Sequence, residues 1–108
     1  MIYTCDNWVI IKFKGKDLHY RVLTGTSGGY LSGSSWRLNS GVVRSEFDGD
    51  YYYFYGSSGS CYKCYVDSYC LRMNNAHVWD HCQEIHSDKV ELMLEDTNWL
   101  TIDWIIKE

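Results

Sequence analysis

The stretch that decides the fold is Val42-Val43-Arg44-Ser45-Glu46-Phe47, Asp48-Gly49, then Tyr51-Tyr52-Tyr53-Phe54-Tyr55. Two runs rich in β-branched and aromatic residues flank an Asp-Gly pair, a strong signal for a two-residue hairpin turn of type I′. Gly56-Ser57-Ser58-Gly59 follows as a second turn, and Ser60 to Val66 reads as a third strand. The three strands make an antiparallel meander.

Working outward, Trp8-Val9-Ile10-Ile11-Lys12-Phe13-Lys14 reads as a strand, and Leu18 to Leu23 as its hairpin partner. In that partner Leu18, Tyr20 and Val22 share one face, and His19 and Arg21 the other. Ala76 to Ile85 has helical spacing, with Val78, Cys82 and Ile85 on one face and Asn74 or Asn75 as N-cap. Two more strands are expected at Val90 to Leu94 and Leu100 to Ile106. The reading is one α+β domain over residues 1–108. It is a mostly antiparallel curved sheet of about six to seven strands with one helix near residues 75–86.

Composition agrees. Aromatic residues make up 17% of the 108, with 10 Tyr, 5 Trp and 3 Phe, beside 9 Gly and no Pro. This excludes collagen, Pro-rich, coiled-coil and disordered chains. The net charge is −4, which disfavours wholesale electrostatic binding of nucleic acid. Residues 1–44 hold six Lys and Arg against two Asp and Glu, whereas residues 84–108 hold two against seven. A basic start and an acidic end suit a mixed-charge partner surface. No stretch approaches the 18 apolar residues of a membrane span, and Met1 to Asp6 lacks the basic start of a secretory signal. The expected location is therefore the cytoplasm.

Residues 24–41 hold five of the nine glycines and read as a long loop. Its backbone amides around Ser27, Gly28, Gly29 and Ser34, with Arg37, could cradle a phosphate or nucleotide. The P-loop lysine is absent, and the bland alternative is a loop packed down by Tyr30, Leu31 and Trp36.

Cys61, Cys64, His77 and His81 have the spacing of a two-Cys, two-His zinc site, with both histidines on one helix face. The pattern departs from a zinc finger where Ser68 and Asn74 occupy the places of its inner aromatic and Leu. The alternative is a pair of strand cysteines with polar helix histidines, and no cofactor. Nucleophile elbows and cysteine-centred catalytic signatures are missing, so the chain reads as non-enzymatic.

Tyr20-Arg21-Val22-Leu23, Ser27-Gly28-Gly29-Tyr30-Leu31-Ser32-Gly33, Ser35-Trp36-Arg37-Leu38-Asn39-Ser40-Gly41 and the Gly56 to Tyr62 turn together resemble a family of small, uncharacterised accessory proteins of tailed bacteriophages. The Trp-Arg-Leu-Asn-Ser-Gly run is the most specific part. The resemblance carries over no catalytic residue. It implies a small protein of the host cytoplasm that binds and blocks host machinery, including a defence system in the manner of an anti-CRISPR inhibitor. The expected partner is a host protein or complex, with neither nucleic acid nor membrane contacted directly and the oligomeric state left open. Tyr30, Trp36, Arg37 and Tyr52 are the contact residues this reading selects, as anchor-type side chains on the loop and the meander.

Overall fold

A computed structural model describes residues 2–5, 7–14, 18–26, 35–71, 73–102 and 104. The strands are β1 (Ile2–Cys5), β2 (Asn7–Phe13), β3 (His19–Thr26), β4 (Ser35–Leu38), β5 (Val42–Phe47), β6 (Tyr51–Gly56), β7 (Cys61–Tyr65) and β8 (Val90–Leu92). One helix, α1 (Met73–His86), precedes a single 3-10 turn at Ser87–Lys89. The fold is mostly β with one helix, within the α+β class.

The single curved sheet of about six to seven strands expected from the sequence is instead two four-stranded sheets, with eight strands among the described residues. The first sheet has the order β1-β7-β6-β5 and the second β4-β3-β2-β8. All pairings are antiparallel except β1 with β7. The sheets are laced together beyond β7, where Trp8 N–H donates to the Ser68 carbonyl at 3.1 Å and Cys70 N–H to the Trp8 carbonyl at 3.0 Å.

The alternation along β2 explains the layering. Trp8 and Ile10 point to the first sheet and join Val22, Phe54, Tyr62 and Cys64 in a core between the sheets. Val9, Ile11 and Phe13 point the other way, into a second cluster with Leu23, Val78, Cys82 and Val90 beneath α1. A strand covered on both faces needs a continuous apolar run, which Trp8-Val9-Ile10-Ile11 supplies. The layers therefore run α1, second sheet, first sheet.

Three expectations are corrected at the ends of elements. The helix starts at Met73, so Asn74 and Asn75 lie inside it, and Asn75 is wholly buried. Ile85 is 62% exposed rather than on the packed face. His86, four residues after the buried Cys82, is exposed as well, but its ring lies edge-on to Phe13 at 5.6 Å. Leu100 to Ile102 form a turn rather than the start of a strand. Trp99 and Trp104 anchor that segment in the core, stacked on each other at 6.3 Å.

The β5–β6 turn is one residue later than Asp-Gly alone indicates. Asp48 N–H donates to the Tyr51 carbonyl at 3.2 Å, so Gly49 and Asp50 are the central pair. Gly49 sits at φ +106°, a conformation that costs only glycine nothing. The Asp48 carboxylate accepts from the amides of Asp50 at 2.9 Å and Tyr51 at 2.8 Å, and from the Tyr53 hydroxyl at 2.8 Å. The Tyr51 amide above all holds the Asp48 carboxyl below its ordinary value of 3.8. Because the folded pKa is the depressed one, the stability this carboxylate contributes is complete above 3.8 and is lost as pH falls through the lower folded value. The urea midpoint is expected to fall more steeply on acidification in the wild type than in Asp48→Ala. Equal slopes would contradict this account.

Candidate functional site

The phase of β6 builds the site. Phe54 is fully buried and Tyr52 packs toward the same core, so Tyr51, Tyr53 and Tyr55 face outward. The register sets Arg44 and Glu46 of β5 beside Tyr55 and Tyr53. On the other side it sets Cys61, Lys63 and Tyr65 of β7 beside Tyr55, Tyr53 and Tyr51. Ile2, paired with Cys61 and 64% exposed, completes the face at β1. Where α1 covers the second sheet, no described element covers this face of the first.

Cations and rings interlock here. The Arg44 guanidinium lies 3.7 Å from the Tyr55 ring centroid, and Lys63 Nζ lies 4.3 Å from that of Tyr51. Tyr51 and Tyr65 pack at 5.4 Å. Arg44 also pairs with Glu46. Donation to Asp48 pushes the Tyr53 hydroxyl up to about 12, so it remains a neutral hydrogen-bonding group at physiological pH. Burial pushes up the Tyr55 hydroxyl and the Cys61 thiol. The result is a rigid, half-exposed surface of neutral hydroxyls, ring faces and two cations. Tyrosine gives large contact area at low entropic cost, and Tyr and Arg are enriched where proteins meet.

Of the contact residues selected from the sequence, Tyr52, Trp36 and Arg37 lie apart from this face. Tyr52 turns inward, 6.0 Å from Trp8 and stacked on Phe47 at 4.4 Å. Trp36 and Arg37 belong to β4 rather than a loop, and as neighbours on a strand they point to opposite faces. Trp36 is 46% exposed on the helix side, opposite Gly25. Arg37 stacks on the Tyr3 ring at 4.1 Å, bridging the edges of the two sheets. Tyr30, and the phosphate-loop residues Ser27, Gly28, Gly29 and Ser34, lie outside the described residues.

Phe54 was the signal for the correct phase. It is the one residue of its run without a hydroxyl, so it belongs inside and takes Tyr52 with it. The same alternation from Tyr62 and Cys64 brings Tyr65 to the open face.

The proposed metal ligands are not brought together. Cys61 and Cys64 lie on opposite faces of β7, whereas His77 and His81 are exposed on α1, which packs on the other sheet. Cys64 is wholly buried between the sheets, which pushes its thiol well up. Among the described residues, no group of three or more His, Cys, Asp or Glu could hold a metal ion.

A cavity of about 210 Å³ is lined by Leu18, His19, Ser40, Gly41, Val42, Val43, Ser57 and Trp104. Arg37 is not among its described lining residues, of which His19 is the one titratable side chain. The Ser40 hydroxyl there accepts from the Ser58 amide at 3.1 Å and the Ser57 hydroxyl at 3.0 Å, so these serines tie the turn down. Among the described residues, no helix is long and apolar enough to cross a membrane. No family model, curated protein or solved structure matches the chain.

Proposed function

We propose that this chain is a non-enzymatic accessory protein of bacteriophage type that binds and blocks a host protein, with the tyrosine face of the first sheet as its contact surface. The reading places it in the host cytoplasm and makes a defence complex its target class. The observation that supports it is the outward array of Tyr51, Tyr53, Tyr55 and Tyr65, ordered by Arg44 and Lys63 while the opposite side of the molecule is covered by α1. Blocking by occlusion needs only a rigid surface with aromatic anchors. Both charge signs on the face, with Glu46, Asp48 and Asp50 beside Arg44 and Lys63, suit a protein better than a polyanion.

The test pairs capture from host lysate with tyrosine-directed footprinting of the bound complex. Tyr51, Tyr53 and Tyr65 are expected to be protected on binding. A Tyr51→Ala/Tyr53→Ala/Lys63→Glu variant is expected to bind about 100-fold more weakly, two anchors at roughly 1–2 kcal/mol each. Undiminished binding by a folded triple variant would sink this reading.

A further inference from the structure

Among the described residues the longest open edge is β5. The other edge strands are β1 and β4, with four residues each, and β8, with three. β5 has six and is paired with β6 alone. The Asp48 to Tyr51 hydrogen bond fixes which way its backbone groups point. In an antiparallel ladder the bonded positions alternate, so Asp48, Glu46 and Arg44 bond to β6, while the amides and carbonyls of Ser45 and Phe47 point away from it. Among the described residues, no turn or loop backbone group is bonded to them.

Sheet edges commonly avoid pairing through charged side chains and bulges. β5 has both, with a bulge between Val42 and Arg44 and the exposed pair Arg44 and Glu46. Those charges are opposite in sign and two residues apart, so of the antiparallel registers centred on residues 44 to 47 only one sets no like charges against each other. Antiparallel pairing of two copies centred on Ser45 sets Arg44 against Glu46 of the second copy, and Glu46 against its Arg44. Centring on Arg44 sets the two arginines face to face, and centring on Glu46 sets the two glutamates face to face between flanking Arg44–Asp48 pairs. Centring on Phe47 sets Glu46 against Asp48 twice, offsetting its Arg44–Asp50 pairs. Parallel pairing in register sets like against like.

We infer that β5 is a self-association edge, through which two copies of this chain pair antiparallel about Ser45 into one continuous eight-stranded sheet. The interface is isologous, so each favourable charge pair occurs twice. Phe47, 39% exposed at the end of the strand, lies opposite Val43 of the second copy and adds apolar contact. The pairing also joins the two tyrosine faces on one side of the sheet, although it stands independently of any host partner.

Sedimentation and light scattering over a concentration series test it. The wild type is expected to be in a concentration-dependent monomer–dimer equilibrium. Arg44→Glu and Glu46→Arg each place two like-charge pairs at the interface, and each is expected to weaken association about tenfold or more. The double variant Arg44→Glu/Glu46→Arg restores both pairs with reversed sense, and is expected to recover dimerisation. Both side chains are more than half exposed, so these variants keep the fold. A chain that stays monomeric throughout overturns the inference. So does a double variant no better than the singles, or slow hydrogen exchange at Ser45 and Phe47 in the monomer, which would show the edge already covered within one chain.

Discussion

Trp8→Ala is expected to be the most damaging single substitution, lowering stability by about 3–5 kcal/mol. Trp8 is 1% exposed and stands where the two sheets meet. Its ring packs on Tyr52 at 6.0 Å, Phe54 at 5.3 Å, Tyr69 at 4.8 Å and Trp99 at 5.9 Å. These neighbours come from three separate segments, β6, the stretch after β7 and the turn at Trp99, each held by its own hydrogen bonds, so the cavity left by the indole resists collapse. Tyr69, for instance, donates its hydroxyl to the Met93 carbonyl and accepts from the Ile10 amide at 3.2 Å. The Trp8 indole N–H also donates to the Tyr65 carbonyl at 2.7 Å, and alanine leaves that acceptor without this donor. Against a total stability of roughly 5–15 kcal/mol, the loss takes a large share. Chemical denaturation of Trp8→Ala beside Ile85→Ala, whose side chain is exposed, checks the prediction. A midpoint for Trp8→Ala within error of the Ile85→Ala control would refute it.

The sequence made the local elements legible and hid the layering. Strand periodicity identifies β2, β3, β5, β6 and β7, because each alternates or runs apolar between turn residues. The division into two sheets was hidden because it depends on where the chain changes partner. Ile2 to Cys5 and Ser35 to Leu38 are too short to announce themselves by pattern, yet one closes the first sheet in parallel with β7 and the other closes the second. The double burial of β2 was written in Val9-Ile10-Ile11, but a short unbroken apolar run fits a buried helix segment as well as a buried strand. The site was half legible. The tyrosine run marked the right strand, and only the position of Phe54 within it determines which tyrosines are open. Trp36 and Arg37 look like loop residues because a Gly-rich stretch hides a four-residue strand. Their strand partners, Gly25 and Thr24, are remote in sequence.

The Trp36 to Gly41 run, the most specific part of the phage-family resemblance, is expected to act on folding rather than on recognition. It is the crossover that carries the chain from the second sheet to the first. Asn39 is 3% exposed and clamps β3 from both directions: its amide donates to the Val22 carbonyl at 3.0 Å, and its side-chain oxygen accepts from the Val22 amide at 2.9 Å. Asn39→Ala keeps the first bond and orphans the buried Val22 amide, at a cost of about 1–3 kcal/mol. Gly41 sits at φ +132°, where a side chain is strained whatever the space around it. A Cβ there would meet only His19 Cδ2 at 3.9 Å, an ordinary contact, so the expected 1–3 kcal/mol cost of Gly41→Ala is backbone strain. Both variants are expected to lose stability by urea denaturation and yet bind a captured partner as tightly as the wild type when compared at equal folded fraction. If either instead weakened binding at unchanged stability, the run would be a contact motif and the tyrosine face would not be sufficient. The reason to expect the first outcome is geometric. Asn39 is engaged by Val22, Ser40 by the Ser57–Ser58 turn and the exposed Arg37 by the Tyr3 ring, which leaves Trp36 as the one exposed large hydrophobic side chain of the six.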